Sequence, residues 1–230
     1  MTIPKTLHIS IIIPTLNEEN DLESLLSSLQ AYPGIEIIVT DGGSSDRTLD
    51  IARRYPARVV SGPAGRACQL NRGAGQASGD ILLFLHCDTT LPEEFPVHVR
   101  NVLAQPETVA GAFRLRLNAT GWAYRLIEMG ANIRTRLLRL PYGDQALFIR
   151  KNNFIRAGGF PEQPLLEDLE MIRRVKRIGR IRISSEYAIT SARRWRQLGT
   201  IRTTLVNQVI LVGYLCGIKA EKLARLYWRE

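Results

Sequence analysis

Cysteine is scarce in this chain of 230 residues, and the N-terminus lacks the pattern of a secretion signal. The three cysteines, Cys68, Cys87 and Cys216, are an odd number without the paired spacing of a metal site. Neither a disulfide framework nor a structural zinc is therefore expected. The first residues show no charged segment followed by an apolar stretch and a small-residue cleavage site. Both absences predict a reducing, cytoplasmic environment.

Long apolar stretches, internal repeats and low-complexity segments are also missing. The longest weakly polar stretch, residues 203–218, contains Asn207 and Gln208. It is too short and too polar for a membrane-spanning helix, whereas a buried helix and a helix lying on a membrane surface both fit. With 45% hydrophobic and 23% charged residues, residues 1–230 are predicted to form a single globular domain.

The formal net charge of +9 is unevenly distributed along the chain. Residues 1–100 carry 8 Lys and Arg against 12 Asp and Glu, and residues 101–230 carry 23 against 10. A basic half is typical of proteins that bind nucleic acid, an anionic membrane or an anionic substrate. Solvated arginines on helix faces explain it equally well. Nucleic acid is disfavoured, because no basic stretch carries interleaved aromatic residues.

Strand and helix patterns alternate through the first 85 residues, with strands predicted over residues 8–14, 36–40, 58–61 and 80–85. Leucines at helical spacing follow the first strand, with Asn17 as the expected N-cap. Further helices are predicted over residues 48–55 and 65–77. This alternation predicts a parallel sheet with helices on both faces. Ligands bind such sheets at the carboxyl ends of the strands, which here read PTLNE, DGGSSD and HCD.

The pattern changes after Pro92. Alternating residues predict strands over residues 109–117, 145–150 and 185–190, and longer periodic segments predict helices over residues 122–140 and 165–178. The helix over residues 122–140 is strongly basic.

The DGGSSD turn starts with Asp41, an acid at a strand end that is followed by two glycines. An acidic strand end is unsuited to cradling phosphate, so the turn is not a dinucleotide fingerprint. A carboxylate there suits hydrogen bonds from a base or a ribose hydroxyl. By itself, the turn is equally a well-made loop, in which Ser44, Ser45 or Asp46 caps the next helix.

His86, Cys87 and Asp88 follow the most apolar strand. The Asp88 carboxylate can take one position on Mg²⁺ or Mn²⁺, while diphosphate oxygens and water supply the others. The alternative is an N-cap for the helix after Pro92, for which Asp88 lies early. His86 is either a second ligand or a packed or solvent-facing histidine.

Glu167 and Asp168 begin an otherwise basic helix. Acids are favoured at helix N-termini by the dipole, and the same position suits a general base that faces a cleft. The segment Arg193-Arg194-Trp195 offers positive charge that can pair with a diphosphate, and an aromatic face.

Taken together, residues 9–195 resemble the family-2 glycosyltransferases of the GT-A fold. The resemblance is carried by IIIPTLNEE, DGGSSDRT, GRACQLNRGAGQASGDILLFLHCD, the Gly158-Gly159-Phe160 turn and LLEDLEM, which follow one another in the family's order. It implies a Rossmann-like α/β/α sandwich with a mostly parallel central sheet. Within it, residues 1–90 would bind the nucleotide, 91–200 would bind the acceptor and carry the catalytic group, and 201–230 would form a helical tail. The compact chain looks like a bacterial branch associated with arsenosugar biosynthesis or selenodomains.

The resemblance also implies roles for individual residues. Asp88 would hold a divalent metal, Mg²⁺ or Mn²⁺, on the donor diphosphate. Asp168 would be the general base, supported by Glu167. The residues around the nucleotide sugar would be Pro14, Thr15, Asn17, Glu18, Asp41, Gly43, Arg66, Asn71, Arg194 and Trp195.

Two positions depart from the family pattern. His86 stands where the metal motif usually has its first acid, and Ser191 stands where the Arg-Trp motif has glutamine. The membrane helices of processive synthases are missing as well, which argues against a polysaccharide synthase.

The sequence thus predicts an inverting transfer of a sugar from a UDP- or GDP-sugar to an acceptor hydroxyl. An anionic or lipid-linked acceptor and peripheral contact with the inner membrane surface would both suit the basic half. Two alternatives stay open: a nucleotidyltransferase of similar fold, although PTLNEEN lacks the glycines of a phosphate loop, and a nucleotide-sugar-binding or membrane-docking protein without catalysis.

Overall fold

A computed structural model describes residues 7–227. The ends of the predicted single domain, residues 1–6 and 228–230, lie outside the described residues. The first half of the chain alternates strands and helices as predicted. The strands are β1 Ile9–Thr15, β2 Glu36–Asp41, β3 Arg58–Ser61 and β4 Ile81–Phe84, and the helices are α1 Leu22–Leu29, α2 Thr48–Arg53 and α3 Arg66–Gln76.

The second half is richer in helix. Its strands are β5 Thr89–Thr90, β6 Thr108–Asn118, β7 Phe148–Arg150 and β8 Arg180–Ser191, with a 3₁₀ turn at Gly143–Gln145. Its helices are α4 Phe95–Ala104, α5 Trp122–Leu138, α6 Lys151–Arg156, α7 Glu167–Lys176, α8 Arg193–Leu198, α9 Thr200–Leu215 and α10 Ala220–Tyr227. Within residues 7–227, none of these helices is both long and apolar enough to cross a bilayer.

In the described part of the chain, the strands form one eight-stranded sheet in the order β3-β2-β1-β4-β7-β6-β8-β5. Strands β3, β2, β1 and β4 are parallel to one another, and β6 is parallel to β8. The antiparallel pairings are β4 with β7, β7 with β6, and β5 with β8. The predicted mostly parallel sheet is therefore confirmed, with β7 inserted antiparallel near its centre.

Apolar residues fill both faces of the sheet. In β1, Ile11 and Ile13 pack on one face with the buried leucines of α1. Ile12 points to the other face, where it packs with α3 and α7. A strand that is buried on both faces needs an unbroken apolar run, which the sequence Ile11-Ile12-Ile13 supplies. The result is the predicted α/β/α arrangement of three layers.

Local details differ from the sequence-based expectations at three places. Asn17 does not cap α1: the N-cap position is occupied by Asp21, and Asn17 lies earlier in the loop with a φ of 55°. The predicted strand over residues 145–150 is reduced to β7, because its first residues belong to the 3₁₀ turn. Strand β8 begins five residues before the predicted start at 185, where Arg180 continues the pairing with β6.

Helix α3 approaches the sheet closely at Gly73, which provides a test of this packing. A Cβ at Gly73 would lie 2.5 Å from Ile12 Cγ2 and 2.8 Å from Thr40 Cγ2. Gly73→Ala is expected to lower the free energy of unfolding by about 1–3 kcal/mol, because the sheet must move to admit the methyl group. Chemical denaturation would measure the loss.

Gly75, in the same helix, is the matched control. No heavy atom lies within 4 Å of the Cβ that alanine would add there. Gly75→Ala should therefore leave stability unchanged or raise it by up to about 1 kcal/mol through helix propensity. Equal destabilisation by both substitutions would contradict the close contact of α3 with β1 and β2.

Candidate active site

A cavity of about 590 Å³ lies at the carboxyl ends of β1 and β4. We call it the main cavity. It is lined by six of the residues predicted for the site: Pro14, Thr15, Glu18, Arg66, Asp88 and Glu167. His86, Arg193 and Tyr227 also line it. Residues from the first turn, the end of β4, α3, α7 and the C-terminal helix α10 therefore meet in one place.

Asp41, at the end of β2, is fully buried and does not line the main cavity. Its Oδ2 accepts hydrogen bonds from the backbone N–H groups of Gly43 at 2.8 Å and Ser44 at 3.0 Å. Its Oδ1 accepts a bond from the Ser44 hydroxyl at 2.5 Å. Gly43 has a φ of 94°, which allows the tight turn. In this structure, Asp41 holds its own loop in shape.

Asn17 connects the turn after β1 to the turn after β2. Its Oδ1 accepts a hydrogen bond from the Ser45 backbone N–H at 2.9 Å, and its own N–H donates to Ser44 Oγ at 2.9 Å. The next residue, Glu18, donates its N–H to Thr48 Oγ1 at 2.8 Å. The two loops are thus cross-linked, and Asn17 lies outside the lining of the main cavity.

Asn71 is likewise used within the fold. Its amide nitrogen donates to the Phe160 carbonyl at 2.8 Å, and its Oδ1 accepts the Phe160 N–H at 2.9 Å. It therefore braces the Gly158-Gly159-Phe160 turn against α3, and it does not line the main cavity. Gly159 has a φ of 68°, and a Cβ there would come within 2.8 Å of Asn71 Oδ1, so the brace requires glycine at this position.

A group of acids surrounds Arg193 at one side of the main cavity. The guanidinium Nη1 lies 3.1 Å from Asp21 Oδ2, and Nη2 lies 3.9 Å from Glu18 Oε2. Burial raises the pKa of Glu18 and of Asp88, and the positive charge of Arg193 opposes both shifts. Negative charge is therefore concentrated here in a partly desolvated setting, where a cation is favoured.

Asp88 and His86 are the candidate metal ligands at the end of β4. Asp88 Oδ1 accepts only long hydrogen bonds, at 3.4 Å, from Thr89 and Thr190, so its carboxylate can still bind a cation. Burial lowers the pKa of His86 to about 3, with a smaller contribution from Arg66. His86 is therefore neutral, which is the form that binds metal.

The described residues contain no group of three or more His, Cys, Asp or Glu side chains arranged to hold a metal by themselves. The residues present fit a divalent ion that takes one or two protein ligands and fills its other positions from a diphosphate and water.

Asp168 and Glu167 occupy the first turn of α7 and face different partners. Asp168 Oδ2 accepts the backbone N–H of Gly143 at 2.8 Å. The Glu167 carboxylate is buried and lies 3.5 Å from Arg66. Burial raises the pKa of Glu167, the neighbouring Asp168 raises it further, and Arg66 lowers it. A narrow cavity beside the main one is lined by Asp168, Glu167, Arg66, His86 and Tyr142, so it adjoins the main cavity.

A further cavity of about 240 Å³ lies between α5 and α9. We call it the α5–α9 cavity. Trp195 lines it, so the structure places this predicted nucleotide contact away from the main cavity. Arg194 stacks its guanidinium 3.7 Å from the centre of the Tyr227 ring. Of the Arg193-Arg194-Trp195 segment, Arg193 lines the main cavity.

Asp144 is a candidate functional residue that the sequence reasoning missed. It lines the α5–α9 cavity, and its Oδ1 is buried without a hydrogen-bond partner among the described residues, as is Nε1 of Trp195. Burial raises the pKa of Asp144 to about 6, although Arg134 opposes the shift. The signal available in the sequence was the polar Gly143-Asp144-Gln145 segment between a helix and an apolar strand.

This chain is similar to known glycosyltransferases. The family model described as "Glycosyl transferase family 2" matches residues 10–161. "Probable glycosyltransferase YdaM" of Bacillus subtilis is 27% identical over 200 residues, which cover 74% of this chain and 47% of that protein. The chain spans less than half the length of this and other curated relatives that it matches.

Solved structures show the same fold. S. aureus TarS 1-349 in complex with UDP-GlcNAc has a TM-score of 0.65 and 20% identity, covering 80% of this chain and 58% of that one. The mannosyltransferase PcManGT of Pyrobaculum calidifontis in complex with GDP-Man and Mn²⁺ has a TM-score of 0.59 and 18% identity, covering 79% and 56%. These likenesses confirm the predicted GT-A fold. Since the family model covers most of the chain, the protein belongs to glycosyl transferase family 2.

Proposed function

We propose that this protein transfers a sugar from a nucleoside diphosphate donor, UDP- or GDP-linked, to an acceptor hydroxyl with inversion at the anomeric carbon. The observation that carries the proposal is the position of Asp168. Its carboxylate is oriented by the Gly143 N–H in a narrow cavity that adjoins the main cavity. The complexes of TarS with UDP-GlcNAc and of PcManGT with GDP-Man support a nucleotide sugar as the donor.

The main cavity would bind the donor. Its volume of about 590 Å³ falls within the range of about 300–1,000 Å³ that is usual for ligand pockets. Arg66 and Arg193 supply positive charge for the diphosphate, and Asp88, with His86 beside it, would hold Mg²⁺ or Mn²⁺. When bound, such an ion neutralises charge on the leaving diphosphate. Asp41, Gly43, Asn17 and Asn71 would act indirectly, by fixing the loops and the turn around the cavity.

Asp168 would act as the general base. It would take the proton from the acceptor hydroxyl while the hydroxyl oxygen forms a bond to the anomeric carbon. The bond between that carbon and the diphosphate oxygen breaks on the opposite face, and the nucleoside diphosphate leaves with the electron pair. Glu167, paired with Arg66, would help to fix the first turn of α7 and so the position of Asp168.

The acceptor would occupy the α5–α9 cavity. Tyr142 lines both this cavity and the narrow one at Asp168, so the two are neighbours. Asp144 and Trp195 both line this cavity, and Asp144 Oδ1 and Trp195 Nε1 are buried without hydrogen-bond partners in the described structure, so each would be able to bond to a hydroxyl group of the acceptor. That this chain belongs to a bacterial branch associated with arsenosugar biosynthesis or selenodomains stays a prediction.

Replacing the proposed base gives the sharpest test of this mechanism. Asp168→Asn should reduce transfer by about 10²–10⁴-fold, because asparagine cannot accept the proton. The affinity for UDP or GDP should stay within about twofold, since Asp168 does not line the main cavity. Release of nucleoside diphosphate in the presence of an acceptor extract would report transfer, and calorimetry would report binding.

Asp50→Asn, on the exposed side of α2, is the matched control and should transfer normally. Normal transfer by Asp168→Asn would remove that residue from the role of base. If the wild type binds UDP or GDP but never releases nucleoside diphosphate, the non-catalytic alternative is favoured.

Asp88→Asn tests the metal. The increase in UDP or GDP affinity that Mn²⁺ produces should fall by about 10–100-fold, because the substitution removes the charged ligand. Calorimetric titrations with and without MnCl₂ would measure this increase, and Asp50→Asn again serves as the control. An unchanged Mn²⁺ effect in Asp88→Asn would contradict the assignment.

Asp144→Asn tests the buried carboxyl through the pH dependence of stability. The pKa is about 6 in the folded protein and about 3.9 in the unfolded chain. Between these values the folded state holds a proton that the unfolded state has released, so stability falls as pH rises through this window. Asparagine does not titrate, so Asp144→Asn removes a loss in the free energy of unfolding that is on the order of 3 kcal/mol above pH ~6.

Thermal unfolding of both proteins would show the difference. Asp144→Asn should be more stable than wild type at neutral pH, and the gain should disappear near the lower end of the window. A gain of equal size across the whole range would show that the carboxyl does not titrate as described.

A further inference from the structure

Helix α5 exposes a continuous apolar stripe to solvent. Its members, spaced three or four residues apart along one helix face, are Trp122, Leu126, Met129, Ile133 and Leu137, with exposed fractions of 77%, 51%, 53%, 49% and 73%. A helix on the surface of a monomeric protein normally turns such a face inward. Here the inward face instead carries Glu128 and Thr135, so the apolar face is unexplained by the fold.

Helix α9 carries a second stripe beside the first. It consists of Ile201, Leu205, Val209, Val212 and Leu215, each at least 54% exposed. The α5–α9 cavity separates the two helices, and its walls include Leu126 from α5 and Thr204 and Gln208 from α9. The two stripes thus belong to the two helices that form walls of this cavity, and together we call them the α5–α9 face.

The exposed charges around this face have one sign. Arg136, Arg139 and Arg202 are exposed. The acid within the described α5 and α9 is Glu128, which is buried, pairs with Arg125 at 2.8 Å and accepts the Leu117 N–H at 2.6 Å. Its negative charge is therefore compensated inside the protein, and the outer surface of both helices is apolar and cationic.

We propose that the α5–α9 face docks on an anionic lipid bilayer, with both helices lying in the plane of the interface. An amphipathic helix with an apolar face and basic flanks is the usual form of such a contact. At about 1.5 Å per residue, α5 and α9 would each extend for roughly 25 Å along the surface. Trp122 is the most exposed residue of the α5 stripe, and Arg125 follows it by about one helical turn. A tryptophan at this position suits the boundary between acyl chains and headgroups.

A second copy of the chain fits this face less well than a bilayer does. A symmetric dimer would place the same surface of each copy against the other. Both copies would then bring exposed arginines to the interface and no exposed acid from α5 or α9, whereas anionic headgroups supply negative charge. Docking is independent of the proposed reaction. If the acceptor occupies the α5–α9 cavity, as the proposed function has it, docking would also hold that cavity at the lipid surface.

Flotation with lipid vesicles tests the docking. The wild-type chain should float with vesicles made of equal parts of phosphatidylglycerol and phosphatidylcholine, and far less with phosphatidylcholine alone. Added salt should weaken this binding. The double variant Trp122→Ser, Leu137→Ser should bind at least about tenfold more weakly, because it removes two inserted apolar side chains. Arg136→Gln should bind about fivefold more weakly.

Two control variants match these changes in exposure and charge. Ile155→Ser alters an apolar residue on α6 that is 63% exposed and lies outside the face. Arg53→Gln removes an exposed arginine on α2. Both should bind vesicles like the wild type, and thermal unfolding should show that every variant is folded.

Three results would overturn the proposal. One is absence of flotation with anionic vesicles at low salt. Another is equal loss of binding in the face variants and in the control variants. The third is a stable dimer in lipid-free sedimentation that the Trp122→Ser, Leu137→Ser variant dissociates, which would assign the face to a second copy. None of these measurements depends on sugar transfer, so failure of the docking and failure of the proposed reaction can be distinguished.

Discussion

One buried amide holds the two loops on which the main cavity depends. Gln69 Nε2 donates to the carbonyl oxygens of Thr15 and Thr40, each at 2.8 Å, and so joins the ends of β1 and β2 to helix α3. The Thr15 carbonyl also accepts the Gly42 N–H at 2.9 Å, so the amide gives it a second hydrogen bond, and a hydrogen bond inside a protein contributes about 0.5–1.5 kcal/mol. The amide is 4% exposed, so it supplies these bonds where water has little access. Its Oε1 also accepts the Gly65 N–H at 3.3 Å, which fixes the start of α3.

The electrostatics of the main cavity follow from this closed framework. Burial raises the pKa of Glu18, Asp88 and Glu167, and a neighbouring acid raises each of them further: Asp88 beside Glu18, Asp21 beside Asp88 and Asp168 beside Glu167. Arg66 and Arg193 offset part of this cost. A site with excess acid on one side and arginine beside it is suited to a ligand that combines a divalent cation with an anionic diphosphate. Without a ligand, the neighbouring carboxylates repel one another. Binding of a cation would therefore lower the electrostatic energy of the site.

The first half of the fold was predictable from the sequence, and the second half only in part. Strands β1 to β4 are short, apolar and separated by strong helical patterns, and their predicted ends lie within one or two residues of those observed. Helix α6 was missed because its sequence, KNNFIR, has no apolar residues at helical spacing. Within the site, Asp88 and Glu167 could be placed in the cavity because they stand at the ends of well-marked elements. The sequence offered Arg193 only as part of the Arg193-Arg194-Trp195 segment and did not single out Asp144, since only the tertiary fold determines which of these side chains line a cavity.

The antiparallel strand β7 explains how the two halves make one site. In a purely parallel sheet, every strand would begin at the end of the sheet that is opposite to the carboxyl end of β4. Because β7 runs antiparallel to β4, its entry turn lies beside the end of β4, and Gly143 comes next to His86, so that a Cβ there would be 2.9 Å from His86 Nε2. The N–H of Gly143 can then hold Asp168, which belongs to α7 on a different part of the chain. A single reversed strand thus brings the candidate metal ligands, the proposed base and the α5–α9 cavity to the same edge of the sheet.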